Sequence, residues 1–236
     1  MPVPTCKSRY VSVVRVAVAI GSVLLASTGG ASSLPAVSST GWDAAALGTI
    51  DGQVFDLAIG AARCAVQSRA IADPATLTVI DYSKPSSAKR LWVFDLRVRR
   101  LLYEELVAHG QGSGDNIPTV FSNEPETHSS SLVLFLTEDT YVGKNGYSLR
   151  LKGLDRGFND RAYERAIVMH GAPYVSEEFV HARGRLGRSW GCPALSDGIA
   201  REVIDQVKGA GLLFAYYPDQ KWLQSSKFLG RCAAAD

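Results

Sequence analysis

The residues best suited to covalent chemistry lie in the run GRSWGCPALS, residues 187–196 of this 236-residue chain. Cys192 stands between Gly191 and Pro193, in a stretch with neither helical nor strand periodicity. A thiol on a loop is a candidate nucleophile. The thiolate is the reactive form, and an ordinary thiol has a pKa of about 8.5, so a base or cation must stand close by. His170 is the best-placed base: it closes the apolar run RAIVMHG, and a strand end is a rigid mount. Gly171 after it leaves room for a substrate or a loop to approach. If the cysteine loop turns its amides inward, the N–H groups of Gly191 and Cys192 form an oxyanion hole, and Pro193 stiffens the exit. Three readings of Cys192 stay open at this level. It is half of a Cys–His dyad, a disulfide partner, or a zinc ligand with His170 and His181; the last lacks the tight paired spacing of zinc sites.

Other polar residues elsewhere in the sequence are weighed for the same site. Arg185 and Arg188 form either a fork for a carboxylate or a solvated loop face. His109, before Gly110, lines a groove or serves as a hydrogen-bonded structural residue. Ser129, Ser130 and Ser131 line the same cleft or are simply loop, and Trp190 shapes a pocket beside the thiol or packs. His128 and His181 read as solvated, whereas Trp92, Phe94 and Tyr103 lie on strand-like runs and read as core.

The compartment decides what a cysteine can do. Residues 1–31 carry Lys7, Arg9 and Arg15, an apolar run from Val16 to Ala26, and small residues up to Ala31, the three-part pattern of a secretory signal peptide. The apolar run is shorter than the ~20 residues of a membrane-spanning helix. Export removes Cys6 with the signal and leaves Cys64, Cys192 and Cys232, an odd number for an oxidising place. A Cys64–Cys232 pair would clamp the tail and leave Cys192 single. The net charge of +2 gives no basic surface for nucleic acid. The expectation is an exported, periplasmic or envelope protein, monomeric, with no transmembrane span after cleavage.

The elements that must position Cys192 and His170 follow from periodicity. Residues 32–42 read as a linker and 43–73 as a helical segment that Asp73-Pro74 ends, with Gly48, Gly52 and Gly60 arguing against one continuous helix. Residues 74–236 then read as the main domain. ATLTVIDYS, the two halves of KRLWVFDLRVRRLLYEELVAHG, SLVLFLTEDTYVG, GYSLRLKGL, RAIVMHG and LLFAYYP are strand candidates, with GKNG a turn between two of them. NDRAYERA reads as a helix capped by Asn159, and SDGIAREVIDQVKGAG as a helix capped by Ser196 after the cysteine. Strands in the middle and helices at the edges make the class α+β, mainly β.

The segment MHGAPYVSEEFVHARGRLGRSWGCPALS resembles the catalytic segment of murein L,D-transpeptidases of the YkuD type. That family has a His after an apolar strand, a loop of fifteen to twenty residues, then Ser/Thr–x–Gly–Cys; here this gives His170 and Ser189-Trp190-Gly191-Cys192. AHGQGSG, FSNEPETHSSSL, YVGKNGYSLRLKGLDRGFND and RAIVMHGAPYV extend the likeness over residues 75–218, to the branch whose cysteine motif ends in Cys-Pro-Ala. The resemblance implies a YkuD-like catalytic domain that needs no cofactor and acts on peptidoglycan stem peptides. Cys192 would attack a tetrapeptide stem with His170 as base, and D-alanine would leave a thioester. A neighbouring stem amine would then give a 3→3 cross-link; water would give L,D-carboxypeptidase activity instead. Ser189 would support the loop and Gly191 would admit the oxyanion. His109, Trp190, Arg188, Arg185, Gly171 and Ser131 are the expected substrate-binding residues, and a wall-binding module without catalysis is the alternative. Two positions depart from the commonest pattern: Trp190 stands where the family has His, and Ala194 where it has Asn or Arg.

Overall fold

A computed structural model describes residue 37 and residues 41–229. The expected signal peptide, most of the expected linker, Cys6 and Cys232 lie outside the described residues. Two residues of that linker are anchored: Val37 is buried, and Trp42 meets Phe55 and Phe94 edge-on at 5.1 and 5.5 Å.

The helical segment is two helices, α1 (Ala44–Leu47) and α2 (Gly52–Gln67). They break at Gly48, whose φ of 65° suits glycine, and α2 restarts where the Asp51 carboxylate accepts from the Gln53 and Val54 amides. One face of α2, with Val54, Phe55, Ala58, Ile59, Ala62 and Ala65, is buried in the main core. Cys64 on this helix is buried and disulfide-bonded.

Among the described residues, eight strands form one sheet: β1 (Thr76–Asp81), β2 (Leu91–Asp95), β3 (Arg100–Glu105), β4 (Val133–Gly143), β5 (Gly146–Gly153), β6 (Val168–Ala172), β7 (Ala194–Ser196) and β8 (Leu212–Tyr216). Their order is β3-β2-β1-β8-β4-β5-β6-β7. Only β1–β8 and β6–β7 pair parallel. Every residue of β1 is buried, the polar Thr76, Thr78 and Asp81 included, and α2 and α4 (Asp197–Val207) both contact it. The α+β class expected from the pattern is the class found.

One expected helix is absent and two unexpected ones are present. NDRAYERA is a series of turns, not a helix. Its Asn159 is buried: Nδ2 donates to the Leu132 and Leu134 carbonyls at 2.9 Å, and Oδ1 accepts from the Asp155 amide at 2.8 Å. These backbone partners outcompete a cap. The charged run before the cysteine contains a helix, α3 (Glu177–Arg183), capped by Ser176 and closed by Gly184 in the left-handed conformation. A short helix α5 (Gln220–Ser225) follows β8, held by the Asp219 carboxylate. Among the described residues, no helix is long and apolar enough to cross a membrane.

Candidate active site

His170 is the central residue of β6, two residues before the strand's end rather than at it. Its neighbours across the sheet are Ser148 on β5 and Ala194 on β7. The second pairing places Cys192, two residues before Ala194, at the mouth of β7 beside the imidazole's strand. Both side chains line one cavity of about 280 Å³, with Lys144, Asn145, Tyr174, Arg188, Ser189 and Trp190.

The cysteine lies on a loop, as expected, but its side chain is buried, 7% exposed. Its small and polar sequence neighbours give no sign of this. The segment 108–111 binds the backbone on both sides of the cysteine. The Ala108 amide donates to the Ala194 carbonyl at 2.9 Å, the Ser189 amide to the His109 carbonyl at 3.0 Å, and the Gln111 amide to the Ser189 carbonyl at 2.8 Å. Inside the turn, Ser189 Oγ donates to the Cys192 carbonyl at 2.6 Å and accepts from the Gly191 amide at 3.2 Å. Gly191 has a φ of 113°, and a Cβ there would sit 2.8 Å from the Ser129 carbonyl oxygen and 2.9 Å from Ile167 Cδ1. Only glycine fits this turn. The Gly191 amide, expected as half of an oxyanion hole, donates to Ser189 Oγ in this structure.

Cys192 Sγ accepts from the Val168 amide at 3.5 Å and lies 3.7 Å from the Ala166 carbonyl, to which the thiol donates. Burial pushes the thiol's pKa up; the Val168 amide and the Arg165 guanidinium pull it partly back. Arg165 is fixed by the Ser122 and Ser129 carbonyls at 2.7 and 2.6 Å. His170 Nδ1 lies 2.7 Å from the Gly171 carbonyl oxygen. A carbonyl only accepts, so Nδ1 carries the proton and Nε2 keeps its lone pair. Burial lowers the imidazole's pKa. Burial thus favours the uncharged form of both the thiol and the imidazole.

The other expected site residues divide. Trp190 and Arg188 line the cavity. Gly171 contributes its carbonyl to the imidazole. Ser131 Oγ instead donates to the Ser122 carbonyl and accepts from Arg165, so it braces the neighbouring loop. Arg185 pairs with Asp115 at 2.6 Å and is not part of the cavity lining. His109 is fully buried and does not reach the cavity. The equally buried Arg90 donates to its Nδ1 at 2.8 Å and to the Val107 and Lys84 carbonyls, which fixes the start of segment 108–111. Burial first, then Arg90, lowers the His109 imidazole to about 3. His128 is not free in solvent either: it stacks on Trp190 at 4.6 Å with the rings 11° apart. His181 lies in α3.

Lys144, Asn145 and Tyr174 were not legible as site residues. GKNG reads only as a turn; the pairing of Ser148 with His170 is what carries the hairpin tip to the cavity. Burial, together with Cys192 and Asp197, raises the Tyr174 phenol to about 12, so it stays protonated.

The family model for the L,D-transpeptidase catalytic domain matches residues 47–216. The chain belongs to that family, and the match takes in α2 as well as the sheet. Solved structures similar to it include an L,D-transpeptidase from Mycobacterium smegmatis, at 13% identity and a TM-score of 0.38 over 61% of this chain and 59% of that one. The helical cell shape determining protein Pgp2 from Campylobacter jejuni, as its K307A mutant, gives 10% and 0.42 over 68% and 57%. An L,D-transpeptidase from Stackebrandtia nassauensis gives 13% and 0.38 over 70% and 68%. The chain thus spans about six-tenths of the first of these. No curated protein sequence matches the chain.

Proposed function

We propose that this chain is an exported cysteine L,D-transpeptidase that joins peptidoglycan stems through a Cys192 thioester. The observation that carries the reading is a buried thiol and an imidazole of fixed tautomer lining one cavity, in a chain of this family. His170 Nε2 takes the thiol proton as Sγ attacks the carbonyl of the L-centre in a tetrapeptide stem. The Cys192 amide stabilises the oxyanion. The C–N bond to the terminal D-alanine breaks, and His170 returns the proton to the leaving amine. A stem amine then attacks the thioester, loses its proton to His170, and leaves a 3→3 cross-link and the free thiol. Splitting the acyl transfer into two steps avoids one high barrier.

The Cys-Pro-Ala ending of the motif, Cys192-Pro193-Ala194, supports the reading of that branch of the family. The tripartite pattern of residues 1–31 supports export to the periplasm or envelope. The catalytic pair lies within one chain, which suits a monomer. The test is muropeptide analysis after incubating the mature protein with a disaccharide tetrapeptide. We expect 3→3 dimers from wild type and none from Cys192→Ala. Tripeptide alone would make water the acceptor; bound but unaltered tetrapeptide would favour a wall-binding module.

A further inference from the structure

Two cations line the cavity that holds Cys192, and no carboxylate does. They are not equivalent. Arg188 is committed to the protein: Nη1 donates to the Gly114 carbonyl at 2.8 Å and lies 3.6 Å from Asp115, which Arg185 also binds. Lys144 has no hydrogen bond or ion pair to a described residue; its ammonium stands 5.9 Å from the centre of the Trp190 ring. Trp190 is 65% exposed but held, because His128 stacks on its ring and Gln111 Nε2 lies 3.0 Å from His128 Nδ1. Lys144 and Asn145 form the tip of the β4–β5 hairpin. β4 pairs with β8 only over Val133–Leu136 and its last residues pair with β5 alone, while β5 pairs with β6 as far as Ser148, beside His170.

Resting on the transpeptidase reading, we propose that Lys144 is a specificity-determining residue that binds the free carboxylate of the acyl donor's departing D-residue, with Trp190 as the wall that guides it. The dimensions agree. A cavity of about 280 Å³ is about 8 Å across if round. In an L,D-peptide ending in a free acid, the terminal carboxylate carbon lies about 3–4 Å from the scissile carbonyl carbon and its oxygens up to about 5 Å. A donor carbonyl held at Cys192 therefore places its carboxylate within the reach of a lysine lining the same space. An anion drawn there meets a positive lining with no competing acid, and only a donor with its terminal carboxylate free satisfies the ammonium. A donor one residue longer would carry its carboxylate past Lys144 and put a neutral amide in its place. Arg185 and Arg188, the carboxylate fork expected from the sequence, are both held by Asp115.

The test is a cycle of two perturbations, read as thioester formation on the intact mature protein by mass spectrometry. Wild type and Lys144→Gln are each given a tetrapeptide donor with a terminal carboxylate and the same donor as a terminal carboxamide. Wild type is expected to acylate about tenfold or more faster with the carboxylate. Lys144→Gln is expected to lose most of that preference by slowing the carboxylate donor alone, with iodoacetamide alkylation of Cys192 unchanged, and Lys144→Arg to recover it in part. No preference in wild type, or an equal loss on both donors in Lys144→Gln, overturns the proposal and leaves the transpeptidase reading standing. Failure of wild type to form a thioester with either donor overturns both.

Discussion

Alkylation of Cys192 by iodoacetamide, followed from about pH 5 to 9.5, distinguishes a neutral thiol–imidazole pair from a preformed ion pair. Burial raises the thiol and lowers the imidazole, and each shift favours the uncharged form. An ordinary thiol of pKa about 8.5 is about 3% thiolate at pH 7, and Cys192 lies below that fraction. The alkylation rate therefore climbs about tenfold per pH unit, about 30-fold between pH 7 and 8.5, without a plateau at neutral pH. Arg165→Gln removes a cation that pulls the thiol down, so its whole profile moves to higher pH. A small neutral reagent needs only the thiolate, so His170→Ala changes this rate less than about threefold, while substrate acylation falls about 10²- to 10⁴-fold for want of a general base. The assay is stopped-time mass spectrometry of the intact protein, with the adduct mapped to Cys192. A flat rate from about pH 5 to 8 would mean a thiolate–imidazolium pair and refute the neutral resting state. Equal losses in alkylation and acylation for His170→Ala would refute its role as base.

Three further predictions concern the scaffold. Gly191→Ala puts a Cβ against Ser129 and Ile167 at a φ of 113°, which costs about 2–5 kcal/mol; a urea midpoint equal to wild type would contradict the tight turn. Asn159→Ala leaves the Leu132 carbonyl and the Asp155 amide without these partners and takes one of two donors from the Leu134 carbonyl, which keeps the Leu154 amide, and a loss of about 2–4 kcal/mol is expected by chemical denaturation, with under 1 kcal/mol counting against the buried bridge. The folded-state value of His109, about 3, lies below its ordinary 6.5, so the unfolded chain takes up the proton first. Stability present above that ordinary value is lost as the pH falls through it, at up to about 1.4 kcal/mol per pH unit. His109→Asn should flatten the pH dependence by nearly one proton, and parallel curves for variant and wild type would contradict this.

Strands β1 to β5, β8 and helix α4 were legible because each carries its own period or its own turn residues. The misses have physical causes. Helix α3 has no buried residue, so no apolar stripe marks it; only Ser176 and Gly184 at its ends carry a signal. Strand β7 is three residues long and follows a proline, too short for any pattern. Composition favoured a helix at 159–166, but the Asn159 amide finds better partners in β4. Cys192 and His170 could be picked out by residue type and neighbours, yet the groups that meet the buried thiol, the Ala166 carbonyl and the Val168 amide, lie more than twenty residues away in sequence. Lys144 carried no local signal at all, since only strand register brings a hairpin tip to the cavity.

The most direct measurement is the intact mass of the mature protein during turnover of a tetrapeptide donor, with peptide mapping of any adduct. A transient gain equal to the tripeptide acyl group, located on Cys192 and absent from Cys192→Ala, is the predicted result. An acyl group on any other residue, or cross-linked product formed equally well by Cys192→Ala, would contradict it.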